Sequence, residues 1–440
     1  MVSGLPPVTV GTAGHVDHGK TALVAALTGI DTDRLAQEKA RGLSIELGFA
    51  ALPLPSGRTM SLVDVPGHER FIRTMVAGAT GIDAYLMVIA ATDGVQEQTV
   101  EHARILEALQ IPAGIVVITK TDLALPGAAV AQARRLMPGA PVVVCPPALS
   151  DRAAPVGLAL DALAGRLRAR ATRPDPFPIL HVDRSFTVAG AGTVVTGTLI
   201  AGALAAGDRV AVYPDEREAR VRGLEVHDES VPRAVAGQRV AVNLAGVPRA
   251  AVSRGDALAT PGALRTAFVI DAAPGTLHGE VGGRVHVHHG TRATPARVTG
   301  GAAGGLRLRL GRPLLVAPGD ALVLRDAAGR RTLGGAVVLR RPGPGPPPAT
   351  APEPVVVSVR RPDALALADR LGAAELARAE AEVRGAIARD GHLTLPDLRD
   401  RLGVSRRQAK ALLDYFDAAG VTRRRADDSR VLRNRRGRGS

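Results

Sequence analysis

The sequence predicts a multidomain chain: an α/β domain built on a parallel sheet, then two small β-barrels, then a short helical module. Three observations predict it. From Val8 to about Arg173 the apolar segments alternate between strand-like and helix-like patterns, as expected of strands joined by crossover helices. From Ile179 to Leu324 they become short β-branched runs separated by glycine turns. From Pro362 onward they return to helical spacing. At 440 residues the chain is also longer than one ordinary core serves.

The first strand-like stretch, Val8 to Val10, runs into Gly14-His15-Val16-Asp17-His18-Gly19-Lys20-Thr21, and a helical pattern at Leu23, Val24 and Leu27 follows. This is G-x-x-x-x-G-K-T between a strand and a helix, a phosphate cradle. Backbone N–H groups from Asp17, His18 and Gly19 wrap the phosphates, and the helix N-terminus adds its dipole. Lys20 reaches the β- and γ-phosphates, and the Thr21 hydroxyl serves Mg²⁺. A second strand, Met60 to Val65, ends in Asp64-Val65-Pro66-Gly67, where a carboxylate at a strand tip can hold Mg²⁺ and Gly67 lets its N–H approach a γ-phosphate. His68 follows at once. A third strand, Ile115 to Ile118, runs into Thr119-Lys120-Thr121-Asp122, similar to N-K-x-D with Thr119 in the Asn position. The Asp122 carboxylate can accept hydrogen bonds from N1–H and the N2 amino group of guanine, which adenine does not offer, so the sequence selects GTP and GDP with Mg²⁺ over ATP.

The remaining apolar segments of this domain are Met75–Ala79, Ala84–Ala91, Val100–Leu109, Val142–Val144 and Leu158–Leu167. Arg173-Pro174-Asp175-Pro176-Phe177-Pro178 then forms a linker that no helix crosses. The β-rich region divides near Pro261-Gly262, and Pro342 to Pro354 is too proline-rich to fold alone. Helical patterns at Leu365–Leu371, Ala374–Ala388, Leu395–Leu402 and Ser405–Ala419, closed by strand-like Val431-Leu432, suggest a winged helix. The expected domains are therefore 1–174, 175–262, 263–341, a linker at 342–361, and 362–440.

Formal net charge is +14, unevenly spread. Residues 1–177 hold 16 Lys/Arg against 16 Asp/Glu, whereas the last 60 hold 15 against 8. Positive charge lies away from the nucleotide motifs, as expected if the rest of the chain handles nucleic acid. The longest apolar run is too short to span a bilayer, and Met1 to Val10 lacks the pattern of a signal peptide. One cysteine, Cys145, excludes an intramolecular disulfide and reads as a small core residue. A cytoplasmic protein is expected. His286, His288 and His289 read as polar residues of a β-strand.

Gly14 to Thr21, Arg41 to Ile45, Asp64 to Phe71 and Thr119 to Asp122 resemble the GTPase domain of the elongation factor Tu class. Within that class, Glu38 to Phe49 resembles the first switch segment, and Asp183 to Thr198 the first strands of domain II, of the selenocysteine-specific elongation factors. The resemblance implies a P-loop GTPase domain, two β-barrels equivalent to domains II and III, and a winged-helix RNA-binding module. It implies that Ser44 replaces a Mg²⁺-contacting threonine, that Val16 and Ile45 gate the catalytic His68, and that Ala148 lies beside the guanine. It places Asp183, Arg184 and Arg239 around the aminoacyl group. A selenol is more acidic than a thiol, so selenocysteine is an anion at neutral pH, and arginines can pair with it where a serine gains no such contact. Arg406, Arg407, Arg423, Arg424, Arg425 and Arg430 are implied to meet a messenger-RNA hairpin, through phosphate contacts and loop shape. The implied partners of this monomer are selenocysteyl-tRNA, the ribosome and the selenoprotein mRNA hairpin, with no membrane. The chain departs from the family in carrying one recognisable winged-helix unit and in having Pro147-Ala148 where Ser-Ala is usual. An ordinary or initiation-type tRNA carrier, or an RNA tether with a decayed nucleotide site, shares parts of this pattern.

Overall fold

A computed structural model describes residues 8–33, 38, 44–146, 153–167, 177–188, 190, 192–264, 266–300, 305–339, 373–402, 404, 406–418, 421–425 and 429–432. The chain divides into two compact units, Met1–Gly343 and Pro344–Ser440.

The first domain is a six-stranded sheet. Its strands are β1 (Val8–Ala13), β2 (Gly48–Pro53), β3 (Thr59–Asp64), β4 (Ala84–Ala90), β5 (Gly114–Thr119) and β6 (Val142–Val144), in the order β2-β3-β1-β4-β5-β6. Its helices are α1 (Lys20–Thr28), α2 (Ile72–Ala79), α3 (Glu97–Ala108), α4 (Gly127–Leu136) and α5 (Ala153–Arg166). Strands β4 and β5 are buried at every position, as expected for parallel strands covered on both faces. Two apolar cores fill the two faces, one containing Met75, Met87, Ile89 and Ile105, the other Leu23, Leu62, Leu86 and Val117. The sheet is mixed, not all-parallel as the strand–helix alternation suggested. β2 joins β3 antiparallel, because only a five-residue turn separates them and a parallel return needs a crossover of a dozen or more.

The first barrel is built from Ile179–Val188, Gly192–Ala201, Arg209–Tyr213, Arg217–Val226, Arg239–Ala245 and Ala257–Ala259, closed where Arg209–Tyr213 pairs with Arg217–Val226. Inward positions alternate along the strands, as in Arg239–Ala245, where Val240, Val242 and Leu244 are buried. The second barrel closes through Thr266–Leu277, Leu306–Leu315, Arg292–Gly300, Arg284–His289, Ala321–Asp326 and Thr332–Val338. His286 and His288 share one face of the Arg284–His289 strand, and burial pushes the His288 imidazole down to about 3, so it is neutral at physiological pH. Cys145 is buried and is in no disulfide among the described residues.

The second unit contains helices Ala373–Asp390, Leu395–Leu402 and Arg406–Ala418 and an antiparallel pair, Thr422–Arg424 with Arg430–Leu432. The middle helix starts at a reciprocal cap: the Asp397 carboxylate accepts from Thr394 N–H (2.9 Å) and the Thr394 hydroxyl from Asp397 N–H (3.4 Å). Phe416, Leu413, Val383 and Leu398 form its core. The expected helix at Leu365–Leu371 lies outside the described residues. Among those described, no helix is long and apolar enough to cross a membrane.

Candidate nucleotide and cargo sites

Chain order in the sheet reverses on either side of β1, so the loop after β1 opens into the crevice at its carboxyl edge. That loop lines a cavity of about 420 Å³ together with Lys20, Thr21, Asp31, Asp33, Ser44, Gly67 and His68. Gly14 has φ of 128°, and a Cβ there would lie 2.2 Å from the Val88 carbonyl oxygen, so both conformation and space demand glycine. Gly67 is required for a different reason. A Cβ on it would meet Lys20 Nζ at 2.3 Å and the Val16 nitrogen at 2.9 Å, which is the close approach of the D-x-x-G backbone to the phosphate loop.

Lys20 is buried, its ammonium donating to the carbonyls of Gly14 (3.1 Å) and His15 (2.7 Å). Burial pushes it down to about 8, against the pull of Asp64, Asp17 and Asp33. Incoming phosphates would hold the proton on Lys20. Nucleotide binding is therefore expected to take up a proton above pH 8, with affinity falling by up to about tenfold over the next pH unit. Titrations from pH 7 upward check this, and a Lys20→Met chain should lose the dependence.

Hard oxygen donors converge beside Lys20. The Thr21 and Ser44 hydroxyls are 3.0 Å apart, and Ser44 donates to Asp33 (2.8 Å). Asp64 is buried and accepts from Thr12 (2.9 Å) and Thr32 (2.7 Å), which fix its carboxylate at the strand tip. Burial, opposed by the Ser44 hydrogen bond and helped by the charges of Glu38, Asp64 and Asp31, raises the Asp33 carboxyl above its usual range. All-oxygen donors with accumulated negative charge fit Mg²⁺.

Thr119, in the Asn position of its motif, is buried at the end of β5. Its hydroxyl donates to the His18 carbonyl (2.7 Å), tying β5 to the phosphate loop. Thr121 donates to the Cys145 carbonyl (2.6 Å), anchoring the turn after β5 to the end of β6, and Asp122 is exposed beside it. Lys120 between them takes φ of 53°. Val16 and His68 line the same cavity, and the His68 ring sits 6.1 Å from Phe71. Ile45 is held by its N–H to the buried Glu38 carboxylate (2.9 Å). Ala148 lies outside the described residues, as does Pro147.

The three residues expected around the cargo group come together, with Asp183 paired to Arg239 and Arg184 to Glu46. Asp183 is buried and accepts from Thr196 (2.6 Å) and twice from Arg239 (3.1 Å each). The Arg239 guanidinium lies 3.5 Å from the centroid of Phe49. Arg184 pairs with Glu46 (3.2 Å) and donates to the Leu47 carbonyl. Both arginines line a cavity of about 180 Å³ between the first domain and the first barrel, with Phe49, Thr198, Glu225 and His227.

In the second unit Arg423 and Arg425 are exposed on the terminal hairpin, while the side chains of Ser405, Arg406, Arg407 and Arg424 lie outside the described residues. Arg430, expected to meet RNA, is placed otherwise. Its side chain is 5% exposed and paired with Asp417 (3.1 Å) and Asp414 (3.6 Å), and its backbone pairs with Leu393. It holds the hairpin against the helices, because burying a guanidinium is costly unless carboxylates meet it.

Sequence reasoning missed Thr12, Thr32 and Asp33, which have no motif, and Gln98 and His102 on α3. The latter pair carried a usable signal: two polar residues four apart near the start of an amphipathic helix, the second of them inside its buried stripe.

Four family models match in chain order: Elongation factor Tu GTP binding domain at residues 6–137, Elongation factor Tu domain 2 at 192–259, the beta-barrel domain of Selenocysteine-specific elongation factor at 280–345, and the winged helix of Elongation factor SelB at 385–432. The chain is 40% identical over 362 residues to the selenocysteine-specific elongation factor of Desulfomicrobium baculatum, an alignment covering 76% of this chain and 56% of that protein. It thus spans little more than half of that relative's length. With elongation factor Tu 2 of Streptomyces avermitilis it shares 32% identity over 359 residues, covering 74% of this chain and 90% of that protein. The crystal structure of a bacterial selenocysteine-specific elongation factor matches with a TM-score of 0.70 at 25% identity, covering 97% of this chain and 80% of that one. The chain belongs to the elongation factor Tu class of translational GTPases and, within it, to the selenocysteine-specific elongation factors.

Proposed function

We propose that this protein binds GTP with Mg²⁺, carries selenocysteyl-tRNA to the ribosome at a recoded UGA codon, and hydrolyses GTP when the ribosome engages. The observation that carries the cargo assignment is the pair Arg184 and Arg239, two guanidiniums lining one cavity with Asp183 holding the second. A selenolate can pair with both, whereas the serine hydroxyl of a mischarged tRNA gains no ion pair.

At the nucleotide, Lys20 and the loop N–H groups would hold the phosphates, and Asp122 would read the guanine edge. Thr21, Ser44 and Asp64 would hold Mg²⁺, which when bound neutralises charge on the β- and γ-phosphates. His68 would orient the attacking water, with Val16 and Ile45 as the gate. The terminal module, with Arg406, Arg407 and Arg423 to Arg425, would hold the mRNA hairpin, its phosphates supplying a salt-dependent attraction.

Filter binding of selenocysteyl-tRNA and seryl-tRNA in GTP is expected to favour the former by about 10²-fold, the worth of two charge-assisted hydrogen bonds. Equal affinity would sink the cargo assignment and leave an ordinary tRNA carrier.

A further inference from the structure

Helix α3 touches both the phosphate loop and the second barrel, through residues that none of the motifs contain. Toward the loop, the Gly14 N–H donates to His102 Nδ1 (2.9 Å) and the Val16 N–H to Gln98 Oε1 (3.0 Å). His102 is fully buried, and since Nδ1 accepts, the ring proton sits on Nε2, which meets no acceptor among the described residues. A buried donor without a partner is a standing cost, tolerated here where the other nitrogen serves the loop. Gly14 has no freedom to drift, packed as it is on the Val88 carbonyl.

Toward the barrel, one turn of the same helix presents Glu101. Its carboxylate accepts from the Thr332 hydroxyl (2.7 Å), the Thr332 N–H (3.0 Å) and the Arg325 guanidinium (3.0 Å). Thr332 and Arg325 are both buried. Further along, Glu107 meets His278 (2.9 Å), and a Cβ on Gly335 would lie 2.8 Å from the Ala108 Cα. Val323 of the barrel completes the apolar core that includes Ile105. Gln98, Glu101 and His102 lie within five consecutive residues, so the grip on the barrel and the grip on the loop share one rigid turn.

We propose that Gln98 and His102 are positioning residues for the phosphate loop, and that α3 passes the placement of the second barrel to that loop through Glu101. Nucleotide retention then depends on contacts in the barrel that touch no nucleotide. The proposal rests on the guanine-nucleotide reading above.

Release of a fluorescent GDP analogue from the full chain tests it by stopped flow. His102→Leu removes the acceptor and is expected to speed release about tenfold, within the range of coupling between sites. His102→Asn puts an oxygen near the place of Nδ1 and should restore slow release, although it leaves the larger void. Thr332→Val, a mild change in the barrel, should speed release about fivefold, and the double variant should be no faster than His102→Leu alone. Equal acceleration by His102→Leu and His102→Asn would reduce His102 to packing and overturn its role. An unchanged rate in Thr332→Val, with the parent chain binding the analogue, would overturn the coupling alone. Failure of the parent chain to bind would overturn the nucleotide reading as well.

Discussion

Asp122→Asn is expected to turn a guanine-nucleotide site into a xanthine-nucleotide site. Two hydrogen bonds to a carboxylate are each worth about 1.5–3 kcal/mol, so affinity for GTP and GDP should fall by about a thousandfold. Asparagine offers one acceptor and one donor, which match the N1–H and the C2 carbonyl of xanthine. Asp122 is exposed and closes no core, so the fold should be indifferent to the change. Competition of both nucleotide series against a fluorescent guanine probe measures the outcome. Retention of GTP selectivity would show that another group, in the turn after β6, reads the base.

His68→Ala is expected to leave nucleotide affinity near its parent value while lowering ribosome-stimulated hydrolysis by about 10²–10⁴, the usual contribution of one positioned proton-transfer group. The side chain lines the same cavity as Lys20, and its ring sits beside Phe71. Single-turnover hydrolysis of labelled GTP, with and without programmed ribosomes, separates chemistry from binding. A stimulated rate unchanged by the substitution would move the catalytic role elsewhere.

Much of this was legible before the structure because local pattern and tertiary role coincide there. β6 falls at Val142–Val144 and one helix at Leu395–Leu402, as their apolar spacing predicts. The phosphate loop, Asp64 and Thr119 sit at strand ends, where a motif encodes its own placement. Three things were not legible. β2 was missed because Gly48–Pro53 holds one phenylalanine and no β-branched residue, and its strand state comes from pairing with β3. α4 was missed because an alanine-rich helix with only Ala129 and Ala133 buried has a weak apolar stripe. Arg430 was misassigned because the sequence shows a charge but not its partners. Asp414 and Asp417 stand one helix earlier and meet it only when the hairpin folds back.

Glu46 on Arg184 and Phe49 over Arg239 also change what selection at the proposed cargo cavity would mean. An anion arriving there would not find two bare cations in water; it would have to displace Glu46 from Arg184 and share Arg239 with Asp183. Stray chloride or phosphate therefore meets an incumbent held at high local concentration by its own chain. On the proposed cargo reading, discrimination would be an exchange reaction, scored by the difference between two ion pairs, and the displaced Glu46 stands two residues from Ser44.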